Sequence, residues 1–228
     1  MNKQIIVAFG IIFSLFGCKD PKKTKIAVVN NEVSILEKVA NAHGFQDWKK
    51  VKEIAFTFNV DRDTTHYQRS WVWNTETNDV IAIVNQDTIT YNRHKLDSIS
   101  SKINGNFIND KYWFLAPFNL MWDRSNFSFE HQKEAVAPIS KTPLQKLTIV
   151  YGNEGGYTPG DAYDFYFGDD FLIKEWVFRR GNQSTASVTT TWEDYKAHNG
   201  LQLATMHKNE DGSFKLYFNH LKITFKTP

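Results

Sequence analysis

Cysteine is nearly absent from this chain, which has a single one at Cys18. Without a second cysteine the chain has no internal disulfide, so its stability must come from a hydrophobic core. A long apolar run is lacking too, because the stretch from Ile5 to Gly17 is shorter than the about 20 residues that cross a bilayer as a helix. Charge of one sign is also lacking: the net charge is +2 over 228 residues, without a dense Lys/Arg stripe, which predicts no nucleic-acid partner.

The apolar run at the N-terminus has the layout of a bacterial export signal. It follows Lys3 and ends in Leu15-Phe16-Gly17-Cys18, which is typical of a lipobox. We predict a signal peptide over residues 1–17, lipidation of Cys18, and a flexible tether over 18–30. The alternative is a buried thiol in a core helix. The first interpretation places the protein in the cell envelope, held by lipid to the periplasmic or surface face of a membrane, and we expect the outer membrane.

The remaining residues, 31–228, are predicted to form one domain that is mainly β with helices (α+β). Apolar spacing of three and four residues predicts a helix over 32–42, with Asn30 or Asn31 as N-cap and Gly44 as C-cap. Alternating apolar residues from Ile54 to Val60 then predict strands, and turn residues separate most of the later ones. The predicted strands are two around 54–60 and 71–73, followed by 79–85, 87–92, 127–134, 145–151, 162–168, 171–180, 185–194, 201–208 and 213–225. Short turns between successive strands favour an antiparallel meander.

One segment, residues 96–122, interrupts the strands and is far more apolar than an exposed connection. We predict one or two short helices here, divided at Pro117, which lie against the concave face of the sheet. Such a segment would act as a lid over a ligand cavity, with Phe114 and Phe118 touching the ligand.

Aromatic residues make up 15% of the chain. A core formed by one sheet face and two helices is not expected to bury so many rings in close packing. They are predicted to line an apolar cavity, the alternative being that they are core. The candidate lining residues are Phe56, Phe58, Trp71, Trp73, Tyr91, Trp113, Phe114, Phe118, Met121, Trp122, Trp176 and Phe178.

Signatures of catalysis and of metal binding are missing. The seven histidines lack the short spacing of a zinc site, and no Gly-x-Ser-x-Gly nucleophile motif occurs. The glycine-rich stretch 155–161 has no lysine of a phosphate-binding loop and is predicted to be a hairpin connection whose glycines take positive φ. We therefore predict no catalytic residues, no metal and no cofactor. Paired carboxylates meet only in space, so a lipid or glycan hydrolase stays open as an alternative.

Four groups of residues together resemble a family of secreted lipoproteins similar in fold to the LolA/LolB/LppX class of lipoprotein and lipid carriers. They are Ala42-His43-Gly44 with Trp48 and Val51-Lys52, Trp113-Phe114 with Pro117-Phe118, Thr158-Pro159-Gly160-Asp161 with Tyr163, and Asn199-Gly200-Leu201 with Leu203. The resemblance implies a curved antiparallel sheet, an open half-barrel, closed by helices over an apolar cavity that in the carriers accepts acyl chains.

These observations predict a monomeric, membrane-anchored envelope lipoprotein that binds or carries an apolar ligand such as an acyl chain, a lipid or a lipoprotein. The first alternative is an interaction lipoprotein whose half-barrel is filled and whose rim docks an envelope protein. A cavity of several hundred Å³ under the insert favours the carrier, and a solid core favours the interaction protein.

Overall fold

The structure is a computed structural model that describes residues 33–85 and 87–227. The predicted signal peptide at 1–17, the lipidated Cys18 and the tether at 18–30 lie outside the described residues. The described chain begins two residues before its first helix, α1 (Ile35–Ala42).

Helix α1 begins later than its apolar spacing predicts. The N-cap is Ser34, whose side chain accepts from the Glu37 backbone N–H while the Glu37 side chain accepts from the Ser34 backbone, a capping box. The prediction of a start at residue 32 under an asparagine cap is therefore wrong, because the side chain that completes the box is Ser34. Leu36 and Val39 on the buried face of α1 are fully buried.

Gly44 follows His43, the C-cap of α1. Only glycine fits at this position, because the backbone of Gly200 lies against it. The φ of Gly44 is 90°, and a Cβ built at Gly44 would lie 2.2 Å from the carbonyl oxygen of Gly200. Beside this contact, the Gln202 N–H donates a hydrogen bond to the His43 carbonyl at 3.0 Å. Two of the four groups that carry the sequence resemblance thus touch each other in the fold.

The described residues form thirteen strands and three short 3-10 helices. The strands are β1 (Val51–Arg62), β2 (Thr65–Asn74), β3 (Asp79–Val84), β4 (Asp87–Asn92), β5 (Phe127–Val136), β6 (Pro143–Tyr151), β7 (Ala162–Phe167), β8 (Ile173–Arg179), β9 (Val188–Thr191), β10 (Lys196–His198), β11 (Leu201–Leu203), β12 (Met206–Lys208) and β13 (Phe214–Phe225). The 3-10 helices are Phe45–Lys50, Arg124–Asn126 and Arg180–Asn182. Most predicted strands match these bounds to within three residues, because alternation and turn residues mark their ends. β2 is longer than predicted, β10 was not predicted, and the predicted strand over 201–208 is two strands, β11 and β12.

The strands form two large antiparallel sheets and one small pair. The first sheet has the order β12-β13-β1-β2-β3-β4, the second has the order β5-β6-β7-β8-β9, and β10 pairs with β11. A bridge between Glu193 and Met206 and a hydrogen bond from the Lys208 N–H to Thr191 Oγ1 at 3.1 Å join the β9 and β12 edges. The predicted meander therefore divides into two sheets that meet edge to edge.

The predicted insert is a single helix, α2 (Ser98–Trp122), and not one or two short helices. Its start is fixed by a capping box between Asp97 and Ser100. Pro117 lies inside the helix without ending it, although proline removes one backbone N–H and with it a helical hydrogen bond. Tertiary packing holds the helix together across this position, since every residue from Phe114 to Leu120 is buried.

Helix α2 lies between the two sheets and contributes to the hydrophobic core on both sides. Toward the first sheet it buries Phe107, Phe114 and Phe118, and toward the second sheet it buries Tyr112 and Leu120. Because these side chains fill the space between the sheets, the interior that the resemblance assigns to acyl chains is occupied by the helix.

The predicted fold class, mainly β with helices, is confirmed: 48% of the described residues are in strands and 23% in helices, and the sheets of this part of the chain do not close into a barrel. Among the helices of the described residues, none is both long and apolar enough to cross a membrane.

Candidate functional site

Helix α2 carries two adjacent charged residues, Asp110 and Lys111, in a segment that is otherwise uncharged from Ile103 to Trp122. Asp110 is fully buried and well satisfied. Its carboxylate accepts from Arg69 Nε at 2.8 Å and from Trp71 Nε1 at 2.9 Å. Burial raises the pKa of Asp110, while the Arg69 guanidinium opposes the rise. This ion pair joins α2 to β2 and is structural.

Lys111 lies about 100° around the helix from Asp110 and has a different environment. It is buried, with 5% of its surface exposed. Within residues 33–85 and 87–227, its ammonium makes no hydrogen bond or ion pair, and it lies over the Trp122 ring, 5.4 Å from the ring centre. Burial is the main cause that lowers the pKa of Lys111 to about 7; Arg93 lowers it further and Asp123 opposes the shift.

The Lys111 side chain lines a pocket of about 380 Å³, which we call the Lys111 pocket. One helix face contributes Ile108, Lys111, Asn119 and Trp122, spaced so that they share a side of α2. The opposite wall comes from the 3-10 helix after α1, from β2, from the residue after β4 and from the glycine-rich loop after β6. These contribute Trp48, Trp73, Arg93, Gly156 and Tyr157, and Asp123 completes the rim.

Three tryptophan rings form the apolar part of the Lys111 pocket. The ring of Trp48 lies 5.7 Å from that of Trp73 and 5.3 Å from that of Trp122. Trp122 is 37% exposed, so its ring opens to solvent. A large aromatic surface that is reachable from outside and adjoins polar groups is typical of a small-molecule site.

The Lys111 pocket contains two other charged groups, Asp123 and Arg93, which have different hydrogen-bond partners. Asp123 accepts from Asn119 Nδ2 at 2.8 Å and from the Tyr151 hydroxyl at 3.2 Å, so its carboxylate has partners other than Lys111. Arg93 donates to Asn104 Oδ1 at 3.2 Å and lies over the Trp73 ring at 5.5 Å. The pocket therefore holds two cations and one carboxylate.

A second pocket of about 330 Å³ lies on the side of α2 that faces β7 and β8, and we call it the Trp176 pocket. It includes Trp113, Tyr163, Trp176 and Phe178. Tyr157 lines both pockets, and its ring stacks on that of Tyr112 at 3.8 Å.

The loop that carries Tyr157 connects antiparallel strands β6 and β7, as the hairpin prediction requires. Gly155, Gly156 and Gly160 have φ of 73°, 73° and 82°, which confirms the expected positive φ. Close contacts at two of them also exclude larger residues: a Cβ on Gly156 would lie 2.7 Å from the Tyr151 ring. The glycines thus allow the loop to place Tyr157 against α2.

The predicted lining residues fall into four groups. Trp73 and Trp122 line the Lys111 pocket, and Trp113, Trp176 and Phe178 line the Trp176 pocket. Met121 packs, half-buried, against the core on the side of the second sheet. The others are buried in the core beside the first sheet: Phe56, Phe58, Trp71, Tyr91, Phe114 and Phe118.

The packing of Phe114 and Phe118 corrects the expectation of a lid. The Phe114 ring lies 4.8 Å from that of Phe56 and 4.6 Å from that of Phe218, and both α2 residues are at most 2% exposed. Phe114 contacts core rings, and Phe118 lies behind the Lys111 pocket, 5.3 Å from the Trp48 ring and 5.7 Å from the Trp122 ring. Both are buried and hold the fold, so neither is a movable lid residue.

Sequence reasoning missed Lys111, Arg93 and Tyr157, and used Trp48 only as part of a resemblance. The sequence did contain one indication of Lys111: it and Asp110 are the charged residues of an otherwise uncharged segment, and charged side chains that are buried need partners. The sequence does not indicate which member of the pair finds its partner inside the fold.

Two histidines are fully buried without forming a reactive site. His43 contacts the Val39 carbonyl through Nδ1 at 2.8 Å, and burial lowers its pKa to about 4. His207 contacts the Thr191 carbonyl through Nδ1 at 3.1 Å, and burial lowers its pKa to about 3. In the part of the chain that the structure describes, no three His, Cys, Asp or Glu side chains are grouped as a metal site needs.

Comparison with known proteins gives structural neighbours only. No family model and no curated protein matches the sequence. A DUF1329 family protein from Desulfovibrio piger is 8% identical, with 82% of this chain and 91% of that chain covered and a TM-score of 0.46. A LolA superfamily protein from Nitrosomonas europaea is 11% identical, with 86% and 96% covered and a TM-score of 0.46.

A third solved structure, a domain described as an outer membrane lipoprotein-sorting protein from Vibrio parahaemolyticus, is 13% identical, with 84% and 90% covered and a TM-score of 0.47. These neighbours include the class that the sequence resembles. At such identities and TM-scores they carry no information about the ligand or activity of this chain.

Proposed function

We propose that this chain is a membrane-anchored envelope lipoprotein that binds a ligand with an apolar part in the Lys111 pocket, and that it performs no covalent chemistry. The observation that carries the proposal is the group of three adjacent tryptophan rings, one of them exposed, around a volume of about 380 Å³. That volume lies within the range of about 300–1,000 Å³ that small-molecule sites have.

The filled interior limits the size of the ligand. Because α2 occupies the space between the sheets, we propose a short or partly bound chain at the surface of α2, and not a set of acyl chains enclosed by the half-barrel. Removal of apolar surface from water, at about 25 cal/mol per Å², would supply the affinity. In this proposal the mature protein consists of lipidated Cys18, a tether to residue 30, and one monomeric folded unit that sits at the outer membrane.

The same filled interior supports a second candidate, an interaction lipoprotein whose rim docks an envelope protein. Under that alternative the exposed Trp122 ring belongs to a protein interface, and the Lys111 pocket takes up no small apolar molecule.

Photo-crosslinking with dodecanol that carries a diazirine separates the two candidates. The mature protein in phosphatidylcholine nanodiscs is irradiated with the probe, and labelled peptides are mapped by mass spectrometry. The proposal expects label on peptides that carry Trp48 or Trp122. Label distributed evenly over exposed apolar residues such as Val136, which is 68% exposed on β5, would contradict a defined site.

A further inference from the structure

We propose that the Lys111 pocket selects amphiphiles with an anionic headgroup, a carboxylate or a phosphate ester, which Lys111 and Arg93 bind. This inference rests on the proposed function, since it names the chemistry of the ligand at the same site.

Lys111 is largely buried and has no counter-charge within bonding distance among the described residues. An ammonium that loses most of its water on burial is costly unless a hydrogen-bond acceptor or a counter-charge compensates. The described residues supply neither within bonding distance of Lys111, although its neighbour Asp110 is fully satisfied by β2. The oxygen atoms of an anionic headgroup would provide the acceptors that the chain itself does not.

Arg93 is a second cation in the same pocket. It donates to side-chain amide oxygens, Asn104 Oδ1 at 3.2 Å and Asn78 Oδ1 at 3.5 Å, and makes no ion pair with a described carboxylate. Its planar group is suited to bind a carboxylate or phosphate through two parallel hydrogen bonds. Since Arg93 lowers the pKa of Lys111 through charge repulsion, the two cations act on the same space.

The apolar wall of the Lys111 pocket lies directly beside its two cations. The Lys111 ammonium lies 5.4 Å from the Trp122 ring, and the Arg93 guanidinium lies 5.5 Å from the Trp73 ring. A headgroup between the two cations would therefore direct its chain over tryptophan rings. This arrangement fits one molecule with an anionic end and an apolar body.

The Trp176 pocket offers a comparison within the same molecule. It is also aromatic, and its charged groups are Asp161, which accepts from the Gly181 backbone N–H at 2.7 Å, and Arg180, which is exposed, so it contains no buried cation. We therefore expect no preference for anionic ligands on that side of α2.

Three photoreactive probes of equal chain length test the inference: dodecanoic acid, dodecyl phosphate and dodecanol, each with a diazirine. The mature protein in phosphatidylcholine nanodiscs is labelled at pH 6, and the yield on peptides carrying Trp48 or Trp122 is quantified. We expect at least one anionic probe to label these peptides about tenfold more than the alcohol, the ratio that one charge-assisted hydrogen bond supports. Acid and phosphate arms distinguish a fatty acid from a phospholipid-type headgroup, and either preference supports the inference.

Substitution of Lys111→Met should lower the ratio of anionic to dodecanol labelling several-fold, because the headgroup loses one of its two cations. Lys102→Met is the matched control, because Lys102 lies on the same helix and is exposed. Circular dichroism shows whether each variant is folded. If Lys111→Met does not fold, the ratio between anionic probes and dodecanol in the unmodified protein decides alone.

The outcomes separate this inference from the proposed function. Equal labelling of the pocket by all three probes overturns the anionic preference and leaves apolar binding intact. Absence of label from the pocket with every probe overturns both. A preference that survives Lys111→Met in folded protein overturns the role of Lys111.

Discussion

At the scale of residues, Asp110 and Lys111 show how neighbours on one helix acquire opposite roles. Asp110 is held by two donors from β2 and joins the helix to the sheet. Lys111 points into a pocket without a bonding partner among the described residues, and burial disfavours its charged form. Asp110 therefore stabilises the fold, while the buried ammonium of Lys111 lowers its stability.

We expect Lys111→Met to stabilise the protein, by an amount that depends on pH. The folded-state pKa of about 7 lies below the value of 10.5 of an ordinary lysine, so the unfolded chain binds more protons between these two values. Stability of the unmodified protein then rises with pH across that window, by up to about 1.4 kcal/mol per pH unit. Denaturant unfolding at pH 6, 8 and 10 measures this, and the advantage of the methionine variant should be largest at pH 6.

The charged and titratable groups that face Lys111 are Arg93, Asp123 and Tyr157, and all three remain in the variant. Lys102→Met should leave the pH profile of stability unchanged, since its side chain is exposed. A Lys111→Met protein that is less stable than the unmodified one at pH 6 would show that the ammonium has a partner that stabilises it.

At the scale of elements, α2 is the component on which both sheets pack. It follows β4, the outer strand of the first sheet, and precedes β5, the outer strand of the second. Its aromatic side chains meet rings of both sheets, as Phe114 meets Phe56 and Trp113 meets Trp176 at 4.6 Å. Removal of one such ring should weaken the whole fold.

We expect Phe114→Ala to destabilise the protein by about 3–5 kcal/mol, the usual cost of a buried phenylalanine deleted from a core. The midpoint of urea unfolding measures the loss. Phe129→Ala is the control, because Phe129 lies on β5 with 46% of its surface exposed, and it should cost far less. If the two substitutions had equal, small effects, α2 would be a detachable lid after all.

The elements also show what the sequence predicts and what it does not. Strand β1 was readily predicted, because its residues from Ile54 to Phe58 alternate and face α2 on one side. The length of α2 was not, since Pro117 normally ends a helix and only the packing of Phe114 and Phe118 against the first sheet overrides it. The pocket was not predicted either, because it depends on which loop reaches Lys111, and that is a property of the tertiary structure.

At the scale of the whole molecule, a folded unit that begins near Ser34 would be joined by a tether to a lipid anchor. That prediction concerns residues that the structure does not describe, and it rests on the apolar run before Cys18 and the lack of any other cysteine. Lipid with more than one acyl chain would hold the pocket near a membrane that contains amphiphiles.

We expect Cys18→Ala to abolish lipidation and cleavage of the signal peptide. Metabolic labelling with an alkyne fatty acid, followed by gel electrophoresis, measures both incorporation and the change in size. A label that persists in the Cys18→Ala protein would contradict the predicted anchor. The proposed pocket would be unaffected by that result, because all of its residues lie after residue 47.

A crystal structure of the mature protein grown with dodecanoate would show directly whether the Lys111 pocket binds an anionic amphiphile. We predict the carboxylate within hydrogen-bond distance of Lys111 Nζ, the chain over Trp48, Trp73 and Trp122, and Phe114 still packed on Phe56. A chain found instead between Phe56, Phe114 and Phe218, with α2 displaced from the first sheet, would contradict this prediction.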